Sequence, residues 1–251
     1  MGLYGLLATY KKRDRKYRLY LPTSTERGEA QLLHEINTKF EVFAQPQTVS
    51  IGTFTFENII GINKVVTNDR VKADLALVSY DPKTETLRNV CFISHKMGQK
   101  ATDFQQYSGI TTTADGSKRG AFSAHKEVLS FIADVKTHHR DDIARNRLRF
   151  YRLIEDATLI GRAVFGPEYG SLRGSNNVHA IGQGDSIFTE YQSRIDLRFT
   201  TLMVINSNVR PFMLDNSYRA VLGVTYRAAY PDHLRFSITP LSGLGYGAIK
   251  I

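Results

Sequence analysis

Three residues in the first half of the chain have the chemistry needed to work on a phosphate ester: Asp74, Ser94 and Lys96. A carboxylate such as Asp74 binds a hard divalent cation, Mg²⁺ or Mn²⁺, which polarises a phosphoryl oxygen and lowers the pKa of an attacking water. Ser94 offers a second oxygen. An ammonium group at Lys96 would position that water or stabilise the charge developing on the phosphate.

Such groups act only if the chain brings them together, and the surrounding sequence predicts that it does. Ala73–Tyr80 (ADLALVSY) reads as a strand, Asp81–Glu85 (DPKTE) as a turn and Asn89–Lys96 (NVCFISHK) as a returning strand. Antiparallel pairing sets the start of the first arm, with Asp74, against the end of the second. Side chains alternate along a strand, so Ser94 and Lys96 share one face and His95 points to the other. Both arms carry apolar runs, which predicts strands covered on two faces in the middle of a mixed sheet flanked by helices. Ahead of the hairpin, Thr23, Ser24 and Thr25 are good helix-capping types. Leu32, Leu33, Ile36 and Phe40 then follow at helical spacing, predicting a helix over residues 26–41. A short helix is expected over Asp103–Ser108, and longer ones over Phe122–Lys136 and Asp141–Glu155. From about residue 160 the texture becomes turn-rich and β-like, with runs at Arg194–Ile205, Tyr218–Tyr226 and Leu234–Thr239. The expected fold class is therefore α/β, with a core over 1–160 and a β-rich region over 161–251 that is either separate or part of the same domain.

The order helix, hairpin, acid and lysine resembles the PD-(D/E)XK nuclease superfamily, over roughly residues 26–136. The resemblance maps the family's acidic position onto Asp74 in KADLALV, and its acid-x-Lys onto Ser94, His95 and Lys96 in VCFISHK. Serine stands where the middle acid is usual, and Ala73 where a proline often precedes the aspartate. The resemblance implies a restriction-endonuclease-like sheet and DNA as substrate, with Mg²⁺ or Mn²⁺ held by Asp74 and a glutamate of the first helix. Glu29 is the first choice for that glutamate and Glu35 the second. The segment ATDFQQYSG is similar to one in phage-encoded members, where Gln105 or Gln106 would contact substrate or a metal-bound water. His95 is a candidate general base or nucleic-acid contact. The same residues have plainer readings: Asp74 as a turn carboxylate, Lys96 as a surface lysine, Glu29 and Glu35 as solvated helix residues, and His95 as core or surface.

Composition fits this picture. The chain has 251 residues, a net charge of +9 and one cysteine. It is long enough to fold without a disulfide framework, and Cys91 lies in an apolar run, as a small buried thiol in a reducing compartment would. No segment reaches the length of a spanning helix, so no membrane partner is expected. The excess charge favours an anionic partner. It gathers at Lys11–Arg18 and at Arg140–Arg152, where Arg145, Arg149 and Arg152 would share a helix face and follow a DNA backbone. Tyr107, Phe150 and Tyr151 are either core aromatics or platforms for unpaired bases. Gly182–Ser186 (GQGDS) reads as a turn or an anion cradle. No spacing of His and Cys indicates a structural zinc. Two classes of function follow: a metal-dependent endonuclease acting in a host cytoplasm, or a non-cutting nucleic-acid-binding or virion-associated protein on the same scaffold. A homodimer or virion components are further candidate partners.

Overall fold

The computed structural model describes residues 27–65, 72–96, 107–110, 122, 124–166, 177–192, 194–205 and 219–251. The basic run at 11–18, Gln105 and Gln106 lie outside the described residues. In chain order the elements begin with α1 (Arg27–Phe40), β1 (Gln47–Ile51), β2 (Phe54–Lys64), β3 (Leu75–Asp81), β4 (Thr86–Lys96) and β5 (Ser108–Ile110). They continue with α2 (Lys126–Asp134), a π-helical turn (Val135–His139), α3 (Arg140–Asn146), β6 (Arg149–Leu153), α4 (Ala157–Phe165), β7 (Ala180–Tyr191), β8 (Arg194–Ile205), β9 (Ala220–Tyr226), β10 (Leu234–Pro240) and β11 (Ala248–Lys250). Helices and strands are mixed, as the sequence predicts.

Among the described residues, α1, β1 to β4, β7 and β8 form one compact unit and the remaining elements a second. In the first unit the six strands close into a barrel, β1-β2-β3-β4-β7-β8. β1 to β4 form an antiparallel meander. β7 and β8 are an antiparallel pair inserted between its ends, joined in parallel to β4 and to β1. The sequence predicts a mixed sheet flanked by helices, and the observed sheet is closed on itself. Closure follows from that late pair, because its two parallel seams leave no free edge, and from bulges in β2 and β7 that bend the strands. The interior is filled by alternating apolar residues, among them Ile51, Ile62, Leu75, Leu77, Cys91, Ile93, Leu197 and Phe199. Helix α1 packs on it through Leu32, Ile36 and Phe40. Asn37 fixes the docking: its Oδ1 accepts from the Ile62 amide at 2.8 Å and its Nδ2 donates to the Ile62 carbonyl at 3.0 Å. A Cβ at neighbouring Gly61 would stand 2.7 Å from that Asn37 oxygen, so the bulge there requires glycine.

The second unit is a five-stranded sheet, β11-β6-β9-β10-β5, with Phe131 of α2 edge-on to Phe236 of β10. Here the helix expected over Asp141–Glu155 is corrected. Helix α3 ends at Asn146, Arg147 turns left-handed at φ 58°, and residues 149–153 form a strand whose residues 150–153 pair with β9. The run RFYRL alternates, with Phe150 buried and Arg149 exposed, and its aromatic content favours a pleated surface over a helix. Most of the short helix expected over Asp103–Ser108 lies outside the described residues, and its last position, Ser108, starts β5.

Candidate active site

Asp74 lies just before β3, and its backbone is already part of the sheet. Its amide donates to the Ile93 carbonyl at 2.9 Å, and its carbonyl accepts from the Val65 amide at 3.0 Å. The register Leu75↔Ile93 sets Asp74 opposite the last residues of β4. Its carboxylate Oδ2 accepts from the Ser94 hydroxyl at 3.1 Å and from the His95 amide at 2.8 Å, and Lys96 Nζ lies 3.9 Å away. The sheet thus gathers the three groups singled out from sequence. Ser94 is wholly buried, whereas the side chains of Asp74 and Lys96 keep 20% and 24% of their surface, enough to meet a ligand. With its hydroxyl donating to Asp74, Ser94 holds the carboxylate in place.

Lys72 is a member of this site that reasoning from motifs passes over. Its pKa is pushed down to about 7 by burial first and by the nearby Lys96 second, with Asp74 pulling the other way. The signal present in the sequence is a second lysine two residues before Asp74, in KADLALV. The site is therefore one carboxylate beside two amines.

His95 takes the opposite face, as alternation requires. Its ring lies 5.7 Å from Phe199, and its Nε2 contacts the Gly184 carbonyl at 2.7 Å. A carbonyl only accepts, so Nε2 carries the proton. The buried Nδ1 has no hydrogen-bond partner among the described residues. Gly184 belongs to the GQGDS segment, which lies within β7 as a bulge between Gln183 and Ser186, with Gly184 at φ 79°. It does not form the turn expected.

The remaining expected residues lie elsewhere. Glu29, in the first turn of α1, pairs with Lys64 at 3.3 Å. Glu35 is exposed and accepts from Gln31 at 2.8 Å. Among the described residues no group of three or more His, Cys, Asp or Glu could hold a metal ion. One carboxylate oxygen already accepting two hydrogen bonds, with two amines alongside, is a donor set suited to an anion. By themselves these residues do not fit a divalent cation. The arginine row is also dissolved. Arg145 pairs with Asp141 within α3, Arg149 sits on β6, and Arg152 of β6 contacts Asp134 and Ser130. The helix face that would have aligned them ends at Arg147. Tyr107 and Phe150 are buried core residues.

No protein-family model and no solved structure matches this chain. It is similar to the type II restriction enzyme CviJI of Paramecium bursaria Chlorella virus IL3A, with 27% identity over 218 residues. The likeness is distant. It covers 79% of this chain but 57% of that enzyme, so the chain spans little more than half the length of the curated relative it matches. No helix among the described residues is long and apolar enough to cross a membrane.

Proposed function

We propose that this chain is a DNA endonuclease of the restriction type, hydrolysing phosphodiester bonds at the Asp74 site. The observation that carries the reading is the convergence of Asp74, Ser94 and Lys96 at one end of the β3–β4 pair. The similarity to a restriction enzyme supports it independently.

In this reading a backbone phosphate docks against the amines of Lys96 and Lys72. Ser94 and the His95 amide hold Oδ2 of Asp74, which leaves Oδ1 to accept a hydrogen bond from the attacking water and orient it. As the water oxygen bonds to phosphorus, its proton passes to Asp74 and the bond to the leaving oxygen breaks. Lys96 donates a proton to that oxygen and compensates the charge building on the phosphate. The sequence resemblance implies Mg²⁺ or Mn²⁺, with Glu29 and Asp74 as ligands. Because the described donor set does not fit such an ion, no step is routed through one, and its requirement is measured directly. The experiment is plasmid cleavage by the purified chain with Mg²⁺, with Mn²⁺ and with EDTA, beside Asp74→Asn and Lys96→Met. The reading requires nicking or linearisation that both variants lose, and variants as active as the parent would rule it out.

One observation favours a second reading. Ser94 directs its hydroxyl into Asp74 where the family's second acid is usual, so the scaffold is also suited to binding DNA without cutting it. Salt-dependent duplex binding with no cleavage under any of the three conditions would select that reading.

A further inference from the structure

The turn after β9 is tied to the helical segment ahead of β6 by charge and by rings. Asp232 receives Lys136 on one oxygen at 3.5 Å and Arg140 on the other at 3.1 Å. Arg147, which ends α3, lays its guanidinium on the ring of Tyr226 with Cζ 3.1 Å from the centroid. The Tyr226 ring lies 5.5 Å from that of His233. Three residues with side chains, Arg147, Asp232 and His233, hold left-handed backbone here, at φ 58°, 55° and 59°. That conformation is disfavoured for L residues and persists only where surrounding contacts fix it.

Among the clustered arginines, Arg140, Arg145 and Arg152 each meet a carboxylate. Arg147 and Arg149 are the exposed arginines of this cluster with no carboxylate partner among the described residues, and of the two Arg147 lies on an aromatic ring. A guanidinium stacked by its face on a phenol ring keeps its N–H edge for ligands and loses little freedom on binding, because its plane is already set. That edge matches two acceptors lying in one plane.

We propose that Arg147, held flat on Tyr226, is a DNA-contact residue of the second unit. This rests on the nuclease reading for the identity of the partner. DNA presents such acceptor pairs in two places: the non-bridging oxygens of a phosphodiester, and O6 with N7 on the major-groove edge of guanine. Lys136 and Arg140 share one carboxylate, Asp232, so this trio carries one net positive charge that favours an approaching phosphate backbone.

The test is fluorescence anisotropy with the full chain and two labelled duplexes, one of A·T pairs only and one containing G·C pairs, over a range of salt. Arg147→Ala, Arg147→Lys and Tyr226→Leu are compared with the parent, and plasmid cleavage is measured alongside. Loss of a paired contact should weaken binding by about fivefold or more in both Arg147 variants, since lysine keeps the charge but not the fork. Tyr226→Leu should move affinity in the same direction. A phosphate contact shows as equal losses on both duplexes and a salt slope shallower by about 0.9 in Arg147→Ala. A guanine contact shows as a loss confined to the G·C duplex. A parent that binds and cuts while Arg147→Ala binds equally well overturns the inference and leaves the nuclease reading standing. A parent that neither binds nor cuts overturns both. Should circular dichroism show Arg147→Ala unfolded, Arg147→Lys and Tyr226→Leu decide, and parental affinity in both overturns the inference.

Discussion

Replacing Lys72 with methionine should remove a pH dependence from the stability of the protein. In the folded chain burial, helped by Lys96, lowers this lysine from 10.5 to about 7. Unfolded, it regains its ordinary value. Between about pH 7 and 10.5 the unfolded chain therefore binds a proton that the folded chain does not, and stability must rise with pH across that window. Below about pH 7 both states are charged, and the full cost of holding a desolvated ammonium is present. At 1.36 kcal/mol per unit, that cost amounts to roughly 5 kcal/mol as an upper value. Methionine keeps the volume and cannot titrate. Urea unfolding of parent and Lys72→Met at half-unit steps from pH 6 to 9.5 gives the comparison. The variant's advantage should be flat to about pH 7 and then shrink by about 1.4 kcal/mol per unit. Lost contacts of Lys72 add a constant offset and leave that slope unchanged. A difference between the two proteins that stays level from pH 7 to 9.5 would refute the reasoning.

Two further outcomes follow from packing and capping. Gly182 of β7 faces Phe199 so closely that an added Cβ would overlap the ring. Gly182→Ala should cost about 1–3 kcal/mol in urea unfolding, and parental stability would show that the barrel interior has room there. Asp156 caps α4, accepting from the Thr158 amide at 2.8 Å and the Leu159 amide at 3.3 Å. Asp156→Ala should cost about 1–2 kcal/mol at pH 7, with Asp156→Asn nearer the parent. Burial works to raise the Asp156 carboxyl, but those amides and His125 hold it below its ordinary value. The stability it contributes is present above the ordinary carboxylate range and fades as pH falls through it, so the penalty of Asp156→Ala should shrink in acid. A penalty unchanged between pH 7 and pH 3 would contradict that.

What could be read from the sequence was what local periodicity controls. The β3–β4 hairpin was legible because an apolar run leads into a DPKT turn on one side and a second leads away from it on the other. The proximity of Asp74 to Ser94 and Lys96 follows from that pairing alone. Closure of the barrel was not legible. It depends on β7 and β8 returning from beyond residue 180 to pair in parallel with β4 and β1, and a parallel seam leaves no turn or spacing in the sequence. The error at Asp141–Glu155 has a similar origin. Ile143 fits helical spacing, and only the backbone of Arg147, left-handed over Tyr226, ends the helix and sends Arg149 and Arg152 onto a strand. In GQGDS the glycines signalled unusual backbone correctly. Composition cannot separate a bulge inside a strand from a turn between two, and the His95 contact that uses the bulge spans 89 residues.

The central claim is that Asp74 and Lys96 act on the phosphate. The most direct measurement is single-turnover cleavage of an end-labelled duplex at saturating protein, comparing the parent with Asp74→Asn and Lys96→Met. The account predicts cleavage slowed by about 100-fold or more in each at saturating protein, with duplex affinity within about threefold of the parent for Asp74→Asn and weaker for Lys96→Met, which loses a phosphate contact. Cleavage at the parental rate by either variant, under conditions where the duplex is fully bound, would contradict it.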